Sequence, residues 1–332
     1  MSVSENIFSG KSVLVTGGTG SFGKALIKRL LAVKDIRKII VLSRDELKQF
    51  EMQETYKSEK LRYFLGDVRD YNRLEQATFD VDIIVHAAAM KQIPAAEYNP
   101  MEAIKTNIFG AENVIRAAIY NGVSRVVALS TDKAANPANL YGATKLCSDK
   151  LFVAGNILAG KRNTKFSVVR YGNVLGSRGS VIPFFLEKAK TGVIPITDPR
   201  MTRFWLSLDQ GVDFVINSLD RMQGGEIFVP KIPSFKVTDV AKVVAPNIKH
   251  ETIGIRQGEK LHEVMITEDD SLNTLEFDDH YVISTSPKTY KNNHGESGKI
   301  VEEGFRFSSE TNPDWFTEET FKTFLSELGL IS

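Results

Sequence analysis

The sequence predicts an α/β protein: a doubly wound parallel sheet with a smaller carboxy-terminal α/β domain that supplies a substrate pocket. Three observations predict it. Five or six short apolar runs alternate with helical patterns up to about residue 171, and a glycine-rich turn joins the first run directly to the first helix. Soon afterwards the alternation breaks into shorter, proline-punctuated pieces. The expected partition is 1–172 with 206–229 for the sheet domain, and 173–205 with 230–332 for the smaller one.

The 332 residues, 42% hydrophobic and 25% charged, suffice for a full core and a second subdomain. A formal net charge of +1 argues against a nucleic-acid surface, which usually carries a strong basic excess. Cys147 is the only cysteine, so no intrachain disulfide can form and a reducing, cytoplasmic compartment is expected. The stretch Met1 to Lys11 lacks the apolar segment of a secretion signal, and no apolar run approaches the roughly eighteen residues of a membrane span. Neither a span nor a metal site is expected.

Taken in order, Ser12 to Thr16 reads as a fully buried strand, followed by Gly17-Gly18-Thr19-Gly20-Ser21-Phe22-Gly23 and a helical pattern through Ala25, Leu26, Leu30 and Leu31. Strand, glycine turn and helix form the context of a Rossmann-type dinucleotide fingerprint. The glycines fit two frames, Gly18-x-Gly20-x-x-Gly23 and Gly17-x-x-Gly20-x-x-Gly23. In either, a turn without β-carbons lets a pyrophosphate approach the backbone at a helix amino terminus. The second strand, Lys38 to Leu42, ends in Ser43-Arg44-Asp45. An acid at that tip binds the ribose 2′-hydroxyl of NAD, whereas an arginine accommodates the 2′-phosphate of NADP. Ser43 and Arg44 come first, which favours NADP; the competing reading leaves Arg44 in solvent and gives the ribose to Asp45.

Arg62 to Leu65 is a third strand, leading into Gly66-Asp67-Val68, and Asp82 to His86 a fourth, leading into Ala87-Ala88-Ala89 and Lys91. Small residues there let a flat ligand lie against the backbone. His86 falls inside the apolar run and reads as a packed strand residue. A helix from about Pro100 to Asn121 carries Asn107, which either ties the backbone near the site or is solvated. The fifth strand, Val126 to Leu129, delivers Ser130 and Thr131 at its carboxyl end, the edge where open α/β sheets bind ligands. Asp132 and Lys133 follow at once, and Tyr141 and Lys145 stand at i and i+4, on one face of a helix. Phe166 to Val169 gives a sixth strand before the polar, glycine-rich Arg170 to Gly179. Further on come an amphipathic helix near Asp209 to Met222 and a strand at Glu226 to Val229, with shorter elements beyond Pro230. Arg178 and Arg256 have the charge to hold a diphosphate, or are surface arginines. The tail after Glu268 carries little pattern.

A tyrosine beside a lysine suits hydride transfer between a sugar carbinol and a nicotinamide. A phenol of ordinary pKa near 10 is a poor base until nearby positive charge favours its phenolate. Lys145 and the oxidised ring are the expected sources of that charge, and Thr131 can orient the same carbinol.

Through Thr16-Gly17-Gly18-Thr19-Gly20-Ser21-Phe22-Gly23 and Tyr141-Gly142-Ala143-Thr144-Lys145 the chain resembles the extended short-chain dehydrogenase/reductase family. Within it, the segments Ser43 to Gln49, Gly66 to Asp70, Ser130 to Lys145, Arg170 to Asn173 and Gly258 to Lys260 resemble the inverting UDP-N-acetylglucosamine 4,6-dehydratases that begin pseudaminic acid synthesis. The resemblance implies NADP as cofactor, lying against Gly17, Thr19, Gly20, Ser21, Phe22, Gly23, Ser43, Arg44, Asp45, Lys48, Asp67, Val68, Ala87, Ala88, Ala89, Tyr141 and Lys145. UDP-N-acetylglucosamine is the implied substrate, contacted by Lys91, Asn173, Val174, Arg178, Thr197, Arg256 and Gly258. Tyr141, Lys145 and Thr131 are implied to oxidise C4, Lys133 to act as the base at C5 and Asp132 as the acid at the C6 oxygen. A lysine base must spend time neutral, which burial near other cations arranges by lowering its pKa. Retaining dehydratases usually carry an Asp-Glu pair there, so Lys133 follows the inverting branch; the competing reading is a plain salt bridge between neighbours. A homo-oligomer is also implied, with a hexamer among the options. Two other functions compete: a nucleotide-sugar 4-epimerase, with no use for Asp132 and Lys133, and a non-catalytic NADP-sensing scaffold, with no need of Tyr141.

Overall fold

A computed structural model describes residues 5–176, 181–287, 290 and 298–331. Its first half alternates strand and helix as the apolar runs dictate. The elements are β1 (Ser12–Thr16), α1 (Ser21–Ala32), β2 (Lys38–Ser43), α2 (Glu46–Thr55), β3 (Leu61–Leu65), α3 (Tyr71–Ala77) and β4 (Ile83–His86). After them come α4 (Ile93–Tyr98), α5 (Pro100–Ile104), α6 (Gly110–Asn121), β5 (Arg125–Thr131), α7 (Leu140–Ala159) and β6 (Lys165–Tyr171). All five residues of β1 and all four of β4 are buried, as expected of parallel strands covered on both faces.

The second half is more broken. It runs β7 (Asn173–Val174), α8 (Val181–Ala189), β8 (Val193–Ile196), β9 (Thr202–Leu206), α9 (Leu208–Arg221), β10 (Glu226–Pro230), β11 (Ser234–Lys236), α10 (Val237–Val244) and β12 (Lys249–Thr252). The remainder is β13 (Val264–Ile266), β14 (Thr274–Glu276), β15 (His280–Ser284), β16 (Lys299–Ile300), β17 (Phe307–Ser308) and α11 (Glu318–Glu327).

Ten strands form the central sheet in the order β16-β14-β15-β10-β6-β5-β4-β1-β2-β3. From β3 to β10 the pairings are parallel, and β15, β14 and β16 extend the edge antiparallel. The strand order reverses between β1 and β4, which opens a crevice beyond their carboxyl ends. Residues 274–300, expected in the smaller domain, thus contribute three strands to the large sheet. A pairing partner 50 residues away in sequence leaves no local pattern, so the short runs of the tail did not reveal this edge.

A second apolar core lies apart from the sheet, gathering Leu175, Phe185, Ile194, Trp205, Phe235 and Phe321. The Phe235 and Phe321 rings stand 4.6 Å apart, and Trp205 meets Phe321 edge-on at 6.0 Å. This core carries β8 with β12, and the small sheet β11-β9-β7. No helix among the described residues is long and apolar enough to cross a membrane.

The single helix expected over Pro100 to Asn121 is interrupted. Residues Lys105–Phe109 form a π-helical turn that carries Asn107. Asn107 is buried, accepts from Met90 N at 2.8 Å and donates to Met90 O and Thr144 Oγ1, each at 2.9 Å. Its side chain therefore ties the loop after β4 to α7, and the solvated reading of Asn107 is excluded.

Candidate active site

The glycine turn leads from β1 into α1 at the crevice. Gly17 has φ +66, and a β-carbon there would lie 2.9 Å from the Ala88 backbone, so this position sets the turn and its close approach to the loop after β4. Gly20 is the N-cap of α1, and a β-carbon on Gly23 would collide with Gly18. Of the two glycine frames, Gly17-x-x-Gly20-x-x-Gly23 is the one whose members carry the turn, the cap and the packing.

A cavity of about 1100 Å³ runs from this turn to α7. Every residue proposed from sequence for the cofactor lines it, from Gly17, Thr19, Gly20, Ser21, Phe22 and Gly23, through Ser43, Arg44, Asp45, Lys48, Asp67 and Val68, to Ala87, Ala88, Ala89, Tyr141 and Lys145. A cradle that admits no β-carbon at Gly17, a helix amino terminus beside it and a long crevice suit an elongated diphosphate ligand. At the tip of β2, Asp45 is engaged as N-cap of α2, accepting from Lys48 N at 3.0 Å and pairing with Lys48 Nζ. Arg44 remains largely exposed, 3.6 Å from Asp67.

The catalytic candidates converge at the carboxyl end of β5. Thr131 Oγ1 donates to Asp132 Oδ1 at 2.9 Å, and Lys133 Nζ donates to the same oxygen at 3.0 Å. Asp132 is fully buried and is not part of the cavity wall, whereas Lys133, with a side chain 21% exposed, lines it beside Thr131 and Tyr141. Lys133 faces the cleft, and the two neighbours do form an ion pair. Asp132 Oδ2 has no hydrogen-bond partner among the described residues. Gly142 lets α7 press on this turn, since a β-carbon there would lie 2.2 Å from the Lys133 carbonyl oxygen.

Electrostatics corrects one expectation. Burial disfavours charge on Lys133, but Asp132 and Glu263 together outweigh it and raise its pKa above the ordinary lysine value. Arg203 does lower it, as anticipated of a neighbouring cation, but the two carboxylates outweigh Arg203 and burial together. Burial raises the Asp132 pKa, with Lys133 opposing and Glu263 reinforcing the shift. Tyr141 is pushed up to about 12 by burial, and the strongest charge favouring its phenolate comes from Lys133. Lys145 is itself lowered by burial, against the pull of Asp149. His86 is buried, shares a hydrogen bond of 2.8 Å with Thr16 Oγ1, and is driven down to about 3 by burial and then by Lys145. It is a packed strand residue.

Sequence reasoning gave no role to several groups at the site. Glu263, buried just before β13, lies 3.4 Å from Lys133 Nζ, 3.7 Å from Arg203 Nε and 3.9 Å from Lys260 Nζ. Its only sequence signal is an acid abutting the apolar run Val264-Met265-Ile266. Behind Lys145, buried Asp149 accepts from Ser130 Oγ at 2.8 Å and from Arg170 Nη2 at 3.2 Å. Asp149 stands one helical turn after Lys145, but nothing in the sequence announces its partners on β5 and β6.

The proposed substrate residues divide. Lys91, Asn173 and Val174 line the large cavity. Asn173 also borders a second cavity of about 500 Å³ with Thr197, Arg203 and Arg256. Gly258 lines neither: with φ +79 it packs on Asn139, whose side chain donates to its carbonyl at 2.8 Å. It shapes the loop, because its close approach to Asn139 leaves no room for a side chain. Arg178 lies outside the described residues.

Comparison with known proteins agrees with this arrangement. The family described as polysaccharide biosynthesis protein matches residues 13–285. The chain is 59% identical over 322 residues to the UDP-N-acetylglucosamine 4,6-dehydratase (inverting) of Campylobacter jejuni subsp. jejuni serotype O:23/36 (strain 81-176), covering 94% of this chain and 96% of that one. It is 44% identical over 285 residues to a UDP-glucose 4-epimerase of Rickettsia bellii (strain OSU 85-389), covering 83% and 84%. Among solved structures, Pen from Bacillus thuringiensis superposes with a TM-score of 0.90 at 36% identity, covering 98% of this chain and 99% of that one. Identity of this order over nearly the whole length, joined to the family match and the parallel sheet, places the chain in the polysaccharide biosynthesis protein family of extended short-chain dehydrogenases/reductases.

Proposed function

We propose that this protein dehydrates UDP-N-acetylglucosamine, oxidising C4, eliminating water across C5 and C6 and inverting C5, with NADP as a recycled cofactor. The observation that carries the reading is the buried Asp132 beside cleft-facing Lys133, 3.0 Å apart and next to Tyr141. Elimination needs an acid and a base beyond the oxidation pair, and these two groups answer that need. The relative that is 59% identical and named for this reaction supports it.

Tyr141 takes the proton of the C4 hydroxyl, favoured by the positive charge of Lys133. A nicotinamide held in the cavity beside Tyr141 and Lys145 would supply the hydride acceptor for C4 and the hydride donor for C6. A C4 ketone acidifies the C5 hydrogen, which the Lys133 amine removes while the Asp132 carboxyl, behind the cavity wall, supplies the proton of the departing C6 hydroxyl through Thr131, whose hydroxyl bonds to Asp132 and lines the cavity. The resting ion pair and the reactive pair of neutral amine and carboxylic acid differ by one proton moved over 3.0 Å. Burial of Asp132, which favours its protonated form, lowers the cost of that move. For C5 to invert, the unsaturated intermediate must turn its other face toward Lys133, whose ammonium then helps return the proton to C5. Tyr141 has then gained one proton and Asp132 has lost one, and Thr131, donating to Asp132 at 2.9 Å, stands between them.

NADP is preferred over NAD because Asp45 is occupied as a helix cap while Arg44 and Lys48 border the ribose end of the cavity. In this reading the sheet domain holds the cofactor, and the smaller lobe holds the uridine diphosphate near Asn173, Thr197 and Arg256. The enzyme works in the cytoplasm as a homo-oligomer.

A 4-epimerase is the second reading, favoured by the rickettsial relative that is 44% identical. It would use Tyr141 and Lys145 and leave the Asp132–Lys133 pair idle. Incubating the full chain with UDP-N-acetylglucosamine in deuterated water separates the two. Loss of one water, with deuterium at an inverted C5 by proton NMR, is expected; an isomer of unchanged mass overturns the dehydratase reading. Tyr141→Phe should abolish turnover, an outcome a cofactor-sensing scaffold does not anticipate.

A further inference from the structure

Lys133 touches a second carboxylate whose role the reaction above leaves open. We propose that Glu263 is a positioning residue for the base: its Oε1, 3.4 Å from Lys133 Nζ, faces the charge that appears on that nitrogen as it takes the C5 proton. The inference rests on the dehydratase reading. It is the relation of an orienting carboxylate to a catalytic imidazole, transferred to an amine.

The geometry is that of a cage around one carboxylate. Glu263 is 2% exposed, and the cations facing it come from three elements: Lys133 from the turn after β5, Arg203 from β9 and Lys260 from the loop before β13. Arg203 is fixed by donating to the carbonyls of Thr202 at 2.7 Å, Leu261 at 3.0 Å and Lys260 at 3.0 Å. Lys260 donates to the Ala135 carbonyl at 2.8 Å, which fastens the loop to the catalytic turn. The other charged group in contact with Lys133 is Asp132, and Tyr141 completes the set of titratable neighbours.

The Lys133 contact, at 3.4 Å, is the shortest of the three, those to Arg203 and Lys260 are longer at 3.7 and 3.9 Å, and Glu263 Oε2 has no hydrogen-bond partner among the described residues. The carboxylate is held by charge, and of its three cations Lys133 is the one on the wall of the large cavity beside Tyr141, while Arg203 borders the smaller cavity. The cations around it, after the opposing effect of burial, keep it ionised. In the elimination, the C5–H bonding pair becomes the C5=C6 π bond, the proton goes to Lys133, and the C6–O bond breaks as Asp132, through Thr131, protonates the oxygen. Glu263 exchanges no proton. It stabilises the ammonium that this step creates and holds the amine in line with C5.

The test compares the full-length, cofactor-loaded wild type with Glu263→Gln and Glu263→Asp. Two readouts are followed in single turnover with UDP-N-acetylglucosamine in deuterated water: reduced nicotinamide by absorbance, reporting C4 oxidation, and deuterium entry at C5. Glu263→Gln should slow C5 exchange and water loss by about 10- to 100-fold, while C4 oxidation and KM stay within about threefold and reduced nicotinamide accumulates. Glu263→Asp, which keeps the charge, should recover much of the exchange. If Glu263→Gln does not fold, judged by circular dichroism, Glu263→Asp decides alone: slowed exchange with intact C4 oxidation supports the role, and an equal fall in both overturns it. Unimpaired exchange in Glu263→Gln, or parallel loss of both readouts, also overturns it. A wild type that yields only an isomer of unchanged mass refutes the dehydratase reading itself, a result distinct from these.

Discussion

Replacing Asp132 with Asn keeps the size of a wholly buried side chain while removing its charge and its transferable proton. At 3.0 Å from Lys133 Nζ, that charge attracts the ammonium by about 5 kcal/mol at an effective dielectric of about 20. Against this stands the cost of several kcal/mol for burying a carboxylate, and Lys133 keeps Glu263 at 3.4 Å as counter-charge. The amide oxygen can keep Thr131 and Lys133 as donors, but the amide NH₂ falls where Oδ2 has no hydrogen-bond partner among the described residues, at a cost of about 1–3 kcal/mol. The balance is a net loss of about 1–3 kcal/mol near neutral pH, or roughly 2–4 °C in Tm for a chain of this size.

The pH dependence has a definite sign. Burial, opposed by Lys133, leaves the Asp132 pKa raised in the folded protein. Such an acid contributes stability that is fully present below its unfolded pKa and is lost as pH rises through the folded value. Asn lacks this dependence, so the deficit of Asp132→Asn should be largest in acid and shrink as pH rises past the ordinary carboxylate range. Catalytically, water loss should slow by about 10²- to 10⁴-fold, the usual worth of a general acid. Oxidation at C4 should persist, because the Asp132 charge opposes the Tyr141 phenolate. Rapid mixing with UDP-N-acetylglucosamine should show reduced nicotinamide building up without dehydrated product. Dehydration within about threefold of the wild type would refute Asp132 as the acid.

Two further substitutions probe the cofactor and the catalytic turn. Arg44→Ala removes a cation bordering the cavity at the tip of β2, and should weaken NADP binding about tenfold, the worth of one charge-assisted hydrogen bond, with NAD unchanged; an equal loss for both, by calorimetric titration, would assign Arg44 no part in the 2′-phosphate. Gly142→Ala places a β-carbon 2.2 Å from the Lys133 carbonyl, so the turn must shift; dehydration should fall by at least about tenfold while Tm drops by only a few degrees, and an unaffected rate would show that the turn's position is not critical.

The strands and helices of the sheet domain were legible because their signals are local. An apolar run such as Val13-Leu14-Val15 fixes a strand wherever it sits, and a glycine turn between strand and helix fixes the ligand-binding edge. The same locality set the spacing of Tyr141 and Lys145 on α7 and put Asp132 and Lys133 directly behind β5. Long-range pairing decided the rest. Only the folded chain brings Glu263, 130 residues downstream, against Lys133, makes Asp45 the cap of α2, and adds β14 to β16 to the sheet edge. Charge follows the same division: sequence assigns the residue types, but the pKa of Lys133 depends on which carboxylates the fold places within a few ångströms, since burial and Coulomb attraction act through space and leave no periodicity in the chain.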